Sequence, residues 1–115
     1  MPAILLAAVA PLALLAAAPA KPRTARCVIT VPETPAYRGP CRFLAEADGS
    51  FSVDPVGRRT FFPDIGSIGL GIVRPDVGEV RGLTTNGINS RWGEARRSRR
   101  DRACWDGADF RICVY

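Results

Sequence analysis

The sequence predicts a mainly β protein: a small antiparallel β-sandwich or barrel with disulfide-linked hairpins, following a cleaved signal peptide. Turn-forming residues such as Asp-Gly and Asn-Gly recur about every eight to twelve residues, which is typical of short antiparallel strands. No long apolar pattern with a period of about 3.6 residues is present. The cysteines fall in two of the candidate hairpins, so covalent links between strands are expected.

Residues 1–20 have the composition of a secretory signal peptide. They contain no charged side chain, and residues 4–15 form an apolar run. Ala18 and Ala20 place small residues at the −3 and −1 positions of a cleavage site before Lys21. A transmembrane anchor would need roughly 20 strongly apolar residues, whereas Pro11 interrupts this run. We therefore expect residues 1–20 to be removed and residues 21–115 to form a single disulfide-bonded β domain without a transmembrane segment.

The first predicted hairpin follows directly. Residues 27–31 alternate and are rich in β-branched side chains, residues 32–35 form a turn, and residues 37–44 resume extended structure. If Val31 lies opposite Tyr37, antiparallel pairing places Cys27 opposite Cys41. The middle of the chain also has the pattern of short strands separated by turns. Strands are predicted at residues 51–53 and 58–62, and glycine-rich apolar segments lie at residues 65–73 and 75–89.

The last predicted hairpin spans residues 103–115. Two short apolar runs flank the turn dipeptide Asp106–Gly107, and pairing Trp105 with Ile112 places Cys104 opposite Cys113. In an exported chain, four cysteines favour two disulfides over free thiols. The two hairpins are compatible with sequential pairing, Cys27–Cys41 and Cys104–Cys113. A pairing that joins the first and last strands remains open at this point.

Residues 91–102 contain six arginines and two acidic residues, and this segment is the most distinctive feature of the surface. A hairpin turning at residues 98–101 is favoured over a short helix from Ser90, because no apolar stripe would hold a helix to the core. Clustered guanidinium groups bind carboxylates and phosphates in a bidentate manner. The alternative is a solvated basic loop. The candidate ligand-binding residues are Arg91, Trp92, Arg96, Arg97, Arg99, Arg100 and Arg102.

Several functional classes are disfavoured by composition. The chain has no histidine, so it has no Ser-His-Asp triad, and its cysteines form no Cys-x-x-Cys pair that would suggest a metal site. We therefore expect no enzyme, no cofactor and no metal. A formal charge of +5 suits an anionic partner. Nucleic acid is not expected, because an exported protein does not normally meet it and no recognition module is visible.

The cysteine-bearing ends carry a resemblance. The stretches at residues 27–31, 37–43, 48–51, 103–105 and 111–113 resemble a group of small, uncharacterised secreted or periplasmic proteins of alphaproteobacteria with four cysteines. The resemblance implies an exported disulfide-bonded β domain and no particular activity. Members commonly carry histidines before the final hairpin, where this chain has arginines. More remotely, the chain is similar to periplasmic lysozyme inhibitors, although it lacks their Ser-Gly-x-x-Tyr loop.

Two functional hypotheses follow. The first is an exported binding module of the bacterial periplasm or cell surface that engages an anionic envelope polymer or an acidic protein through the arginines. The second is a structural envelope component or protein inhibitor that acts through its β surface, with the arginines only solvating it.

Overall fold

The protein is a closed barrel of eight antiparallel strands, seen in a computed structural model that describes Ala3 and residues 21–115. Each strand pairs with the next along the chain, and the last strand pairs with the first. Apart from Ala3, the predicted signal peptide lies outside the described residues. The strands are β1 Arg23–Val31, β2 Thr34–Ala45, β3 Phe51–Pro55, β4 Ile65–Arg74, β5 Val77–Thr84, β6 Asn89–Arg97, β7 Cys104–Asp106 and β8 Arg111–Val114.

The predicted all-β class is confirmed, and of the two predicted architectures the barrel is the one that forms. The connections before β2, β5 and β6 are short because turn residues stand where the chain must reverse, whereas residues 56–64 form a longer loop. Glu33 and Asp76 adopt left-handed backbone with φ of 59°, and Gly87 does so with φ of 86°. No helix long and apolar enough to cross a membrane occurs among the residues that the structure describes.

The core fills the interior of the barrel, as expected for a barrel of about eight strands. Strand β1 shows how alternation builds it, because Ala25, Cys27 and Ile29 point inward while Arg26 and Thr30 are exposed. The largest fully buried aliphatic side chains are Ile29, Val53, Ile68, Leu70, Val80 and Ile112.

Both sequential disulfides are present, so the predicted pairing Cys27–Cys41 and Cys104–Cys113 is confirmed. The last hairpin also has the predicted register, with Cys104 directly opposite Cys113. These two cross-links join β1 to β2 and β7 to β8.

The predicted register of the first hairpin is wrong by two residues. Cys27 lies opposite Gly39, and Cys41 lies opposite Ala25. The turn is tighter than predicted, because Thr34 already pairs with Val31. A shift of two residues keeps every side chain on its face of the sheet, so both cysteines still point into the barrel. They join diagonally, with their Cα atoms 5.7 Å apart.

The predicted strand at residues 58–62 is also wrong. This segment is a loop in which Phe62 makes an isolated bridge to Ile65. The chain reverses at once after Phe62, where Asp64 has left-handed backbone with φ of 70° and the Ile65 N–H donates to the Phe62 carbonyl oxygen at 3.0 Å. Phe61 and Phe62 are nevertheless buried, and the Phe61 ring packs edge-on against Tyr37 at 4.8 Å. The loop therefore contributes core side chains without contributing a strand.

Candidate anion-binding site

Strand β6 distributes the candidate arginines along the barrel instead of gathering them. The segment is a hairpin, as predicted, and the alternative helix from Ser90 is wrong. Arg91 and Arg97 stand six residues apart in an extended strand, which separates their Cα atoms by roughly 20 Å. The structure thus brings Arg91 and Trp92 to one end of the barrel and residues 96–102 to the other.

Arg91 is held by an ion pair on the barrel wall. Its Nε donates to the Glu79 carboxylate at 3.0 Å, and Arg81 binds the same oxygen at 2.8 Å. The hydrogen bond from Arg91, followed by the charges of both arginines, lowers the pKa of Glu79 below its usual value. Arg91 therefore already has a carboxylate partner, Glu79, within the same chain.

Trp92 is a packing residue. Its ring meets Phe110 edge-on with centroids 5.6 Å apart and lies against the hydrophobic core. A groove of about 420 Å³ adjoins it, lined by Val31, Pro32, Thr34, Phe62, Ile65, Arg91, Trp92, Asp109 and Phe110. Arg91 and Asp109 bring one positive and one negative charge to its lining. This groove offers little net attraction to an anion.

The turn between β6 and β7 is fastened by side-chain hydrogen bonds. We call residues 96–102 the arginine hairpin. The Ser98 hydroxyl accepts hydrogen bonds from the backbone N–H groups of Arg100 and Asp101, both at 3.2 Å. The Asp101 carboxylate accepts hydrogen bonds from the Ala103 N–H at 3.1 Å and from the Tyr115 hydroxyl at 2.7 Å. These bonds give the turn a defined backbone despite its exposure.

The same contacts shift two ionisation equilibria. The hydrogen bond from Tyr115 is the main cause of the lowered pKa of Asp101, with a smaller contribution from the Ala103 N–H. The same hydrogen bond raises the pKa of Tyr115, because ionising the phenol would remove the donated proton. Asp101 is therefore committed to holding the turn together and does not neutralise a neighbouring arginine by an ion pair.

The arginine hairpin presents free positive charge. Arg96, Arg99 and Arg100 are exposed, and none forms an ion pair with another described residue. Arg102 contacts Asp76 at 3.3 Å, but both side chains are more than half exposed, so solvent screens this pair. The hairpin is consequently the part of the candidate segment best placed to meet an anion.

Arg97 and Arg102 also border an open cavity of about 270 Å³ at this end of the barrel. Three aromatic rings line it in a row: Phe43 and Phe51 lie 5.3 Å apart, and Phe51 and Trp105 lie 6.3 Å apart. A guanidinium group caps each end of the row. We call this cavity the mouth, and its characteristic residues are Arg23, Phe43, Phe51, Arg97, Arg102 and Trp105.

The guanidinium groups of the mouth lie over ring faces. That of Arg23 lies 4.6 Å from the centroid of Phe43, and that of Arg97 lies 5.6 Å from the centroid of Trp105. Arg97 stands directly opposite Trp105 in the β6–β7 pair, so both side chains share the inner face. Its Nε donates to the carbonyl oxygen of Arg102 at 2.7 Å, which fixes the plane of the group.

Sequence reasoning missed Arg23 and the aromatic row as parts of a site. The sequence did contain an indication: Arg23 precedes Ala25 and Cys27 by two and four residues in β1, so it lies on the same face of the strand as these buried residues. That position points Arg23 toward the barrel interior. Only closure of the barrel, however, brings the start of β1 next to the end of β6.

Comparison with known proteins adds no further information: no protein-family model, no curated protein and no solved structure matches the chain.

Proposed function

We propose that the protein is an exported, non-enzymatic binding module of the bacterial periplasm or cell surface that holds an anionic polymer of the cell envelope. The observation that carries the proposal is the arginine hairpin, where exposed arginines without ion pairs among the described residues stand on an ordered turn. A guanidinium group offers a planar fork of donors that matches carboxylate and phosphate oxygens.

The order of the turn favours binding. The hydrogen bonds of Ser98 and Asp101 hold the backbone that carries Arg99 and Arg100, so less conformational entropy is lost when a ligand arrives. The same turn crowds like charges, and an anionic ligand relieves that repulsion. The two disulfides support export, because such bonds persist in oxidising compartments.

The test compares two double variants that lose the same charge. Arg99→Gln/Arg100→Gln changes the arginine hairpin, and Arg38→Gln/Arg42→Gln changes exposed arginines on the outer face of β2. Binding to purified lipopolysaccharide is measured by sedimentation, with neutral dextran as the comparison polymer. We expect the hairpin variant to lose affinity by about tenfold and the β2 variant to lose far less.

Salt provides a second readout. Raising the ionic strength from about 0.1 M to about 1 M shortens the Debye length from about 10 Å to about 3 Å, so binding through exposed arginines should weaken steeply. Equal losses in the two double variants would show that net charge alone attracts the polymer and would refute the hairpin surface. Unchanged binding by the hairpin variant would refute it as well. Failure to bind the polymer would refute the proposal. Capture of one acidic protein would then favour a protein partner for the arginines. Capture of one partner that stays bound at high salt would favour a structural component or protein inhibitor that acts through its β surface.

A further inference from the structure

The mouth combines positive charge with an aromatic wall, and none of the described acidic residues lines it. Its ten lining residues include Arg23, Arg97 and Arg102 but neither Asp nor Glu. We propose that the mouth binds a small molecule that carries one anionic group (a carboxylate, sulfate or phosphate) on a flat apolar body. This site goes beyond the proposed polymer surface, because it is a cavity that shares Arg97 and Arg102 with the arginine hairpin but depends on Arg23 and the aromatic row.

The aromatic row supplies the apolar half of the site. Phe51 and Trp105 are only 7% and 6% exposed, so their rings are held in place by the core and present fixed surfaces to the cavity. Rings that are already immobilised lose little entropy when they contact a ligand. The volume of about 270 Å³ lies just below that of cavities for drug-sized molecules, which begin at roughly 300 Å³. It therefore suits a molecule with about one ring.

Arg97 supplies the anion contact with the best-defined geometry. Its Nε is used by the Arg102 carbonyl, which orients the guanidinium plane, and its terminal amino groups have no hydrogen-bond partner among the described residues. Stacking over Trp105 further limits its motion. A carboxylate or phosphate meeting these amino groups would gain charge-assisted hydrogen bonds beside an apolar wall, where solvent screens them less.

Arg23 supplies positive charge from the opposite side of the aromatic row. It comes from the first residue of β1 and lies over Phe43, with no ion pair among the described residues. The cavity between two such groups has a positive potential that its apolar walls strengthen. A ligand with its ring against the aromatic row and its anion toward the arginines satisfies both halves of the site.

The groove at the other end of the barrel provides the internal comparison. It has an apolar lining of similar kind, but there Arg91 is paired with Glu79 and Asp109 is also present. A ligand that needs only an apolar wall should accept either end. A ligand that needs an apolar wall and a free cation should choose the mouth.

The experiment uses three matched probes: phenylacetate has both the ring and the charge, 2-phenylethanol has the ring alone, and acetate has the charge alone. Binding to the Trp92→Phe variant is followed through the emission of Trp105, which is then the single tryptophan of the chain. Isothermal titration calorimetry of the unmodified protein checks the dissociation constants. We expect phenylacetate to bind at least about tenfold more tightly than either partial probe.

Substitutions then locate the site. We expect Arg97→Gln and Arg23→Gln each to weaken phenylacetate binding by about five- to tenfold, as the loss of one charge-assisted contact implies. Arg91→Gln is the matched control at the other end and should leave it unchanged. Arg23 forms no side-chain hydrogen bond with another described residue, so its variant is expected to fold even if Arg97→Gln loosens the hairpin.

Three results would overturn the inference: equal binding of phenylacetate and 2-phenylethanol, equal losses in the Arg91 and Arg97 variants, or no saturable binding of phenylacetate. Each would mean that the arginines cover ring faces without forming a ligand site. The polymer test depends on Arg99 and Arg100, so either proposal can fail while the other stands.

Discussion

Replacing Gly82 with alanine tests the placement of Trp92 inside the barrel. A Cβ atom at position 82 would lie 2.7 Å from Trp92 Nε1, 2.9 Å from Cε2 and 3.0 Å from Cζ2. Gly71 in the neighbouring strand β4 is the matched control, because a Cβ there meets no atom within 4 Å. Both glycines have ordinary strand backbone, so the two variants differ in the space available to one methyl group.

The expected difference follows from packing. Forcing an extra carbon into a packed core typically costs about 1–3 kcal/mol. Alanine otherwise stabilises a strand by about 0.5–1 kcal/mol relative to glycine, because it restricts the unfolded chain. We therefore expect Gly71→Ala to be neutral or slightly stabilising and Gly82→Ala to lower the free energy of unfolding by about 1–2 kcal/mol. For a domain of this size that is a fall of about 4–16 °C in Tm.

Equilibrium unfolding in denaturant, with the disulfides intact, measures both variants. A double-mutant cycle with Trp92→Leu identifies the source of the cost, because the smaller side chain leaves room for the new methyl group. Gly82→Ala should then cost at least about 1 kcal/mol less than in the parent protein. If Gly82→Ala is as stable as Gly71→Ala and the cycle shows no coupling, Trp92 does not pack over Gly82. The placement of Trp92 at the end of the barrel opposite the arginine hairpin would then be wrong.

Three further predictions concern cross-links, ionisation and processing. Replacing Cys27 and Cys41 together by alanine should cost about 3 kcal/mol or more in equilibrium unfolding, since the bond closes a loop of sequence separation 14 and both cysteines are fully buried. Tyr115→Phe should reduce one pH dependence of Tm, to which the Ala103 N–H also contributes, and should remove a second one. The first is the stability that Asp101 contributes, which is present above its unfolded-state pKa of about 3.9 and is lost as pH falls through its lowered folded-state pKa. The second is the stability that Tyr115 contributes, which is present below about pH 10 and is lost as pH rises through its raised folded-state pKa. Intact-mass analysis of the exported protein should show cleavage after Ala20, and retention of Met1 would refute that prediction.

The two ends of the barrel differ in how their charges are used. At the end with Arg91, the arginine of the groove is paired with Glu79 at 3.0 Å, and Asp109 adds a negative charge to the lining. At the mouth, Arg23 and Arg97 lie over aromatic faces and have no carboxylate partner among the described residues. Aromatic faces attract a cation without neutralising it. The mouth therefore keeps a positive field available to a ligand.

The all-β class and the last hairpin could be predicted from the sequence alone, which also favoured the correct disulfide partners but left a second pairing open. These features depend on neighbours along the chain: alternation sets the buried face, and the short reversal over residues 107–110 brings Cys104 to Cys113. Even the wrong register of the first hairpin left the pairing of Cys27 with Cys41 correct, because an error of two residues preserves the face of every side chain.

Which arginines lie near each other depends on the tertiary structure. Along the sequence, Arg91 and Trp92 belong to the same basic segment as Arg97, yet the rise of about 3.3 Å per residue in a strand carries them to the opposite end of the barrel. Arg23 is distant in sequence, and barrel closure places it on the same cavity as Arg97. Local patterns encode which way a side chain points, whereas the closing of the sheet determines which side chains meet.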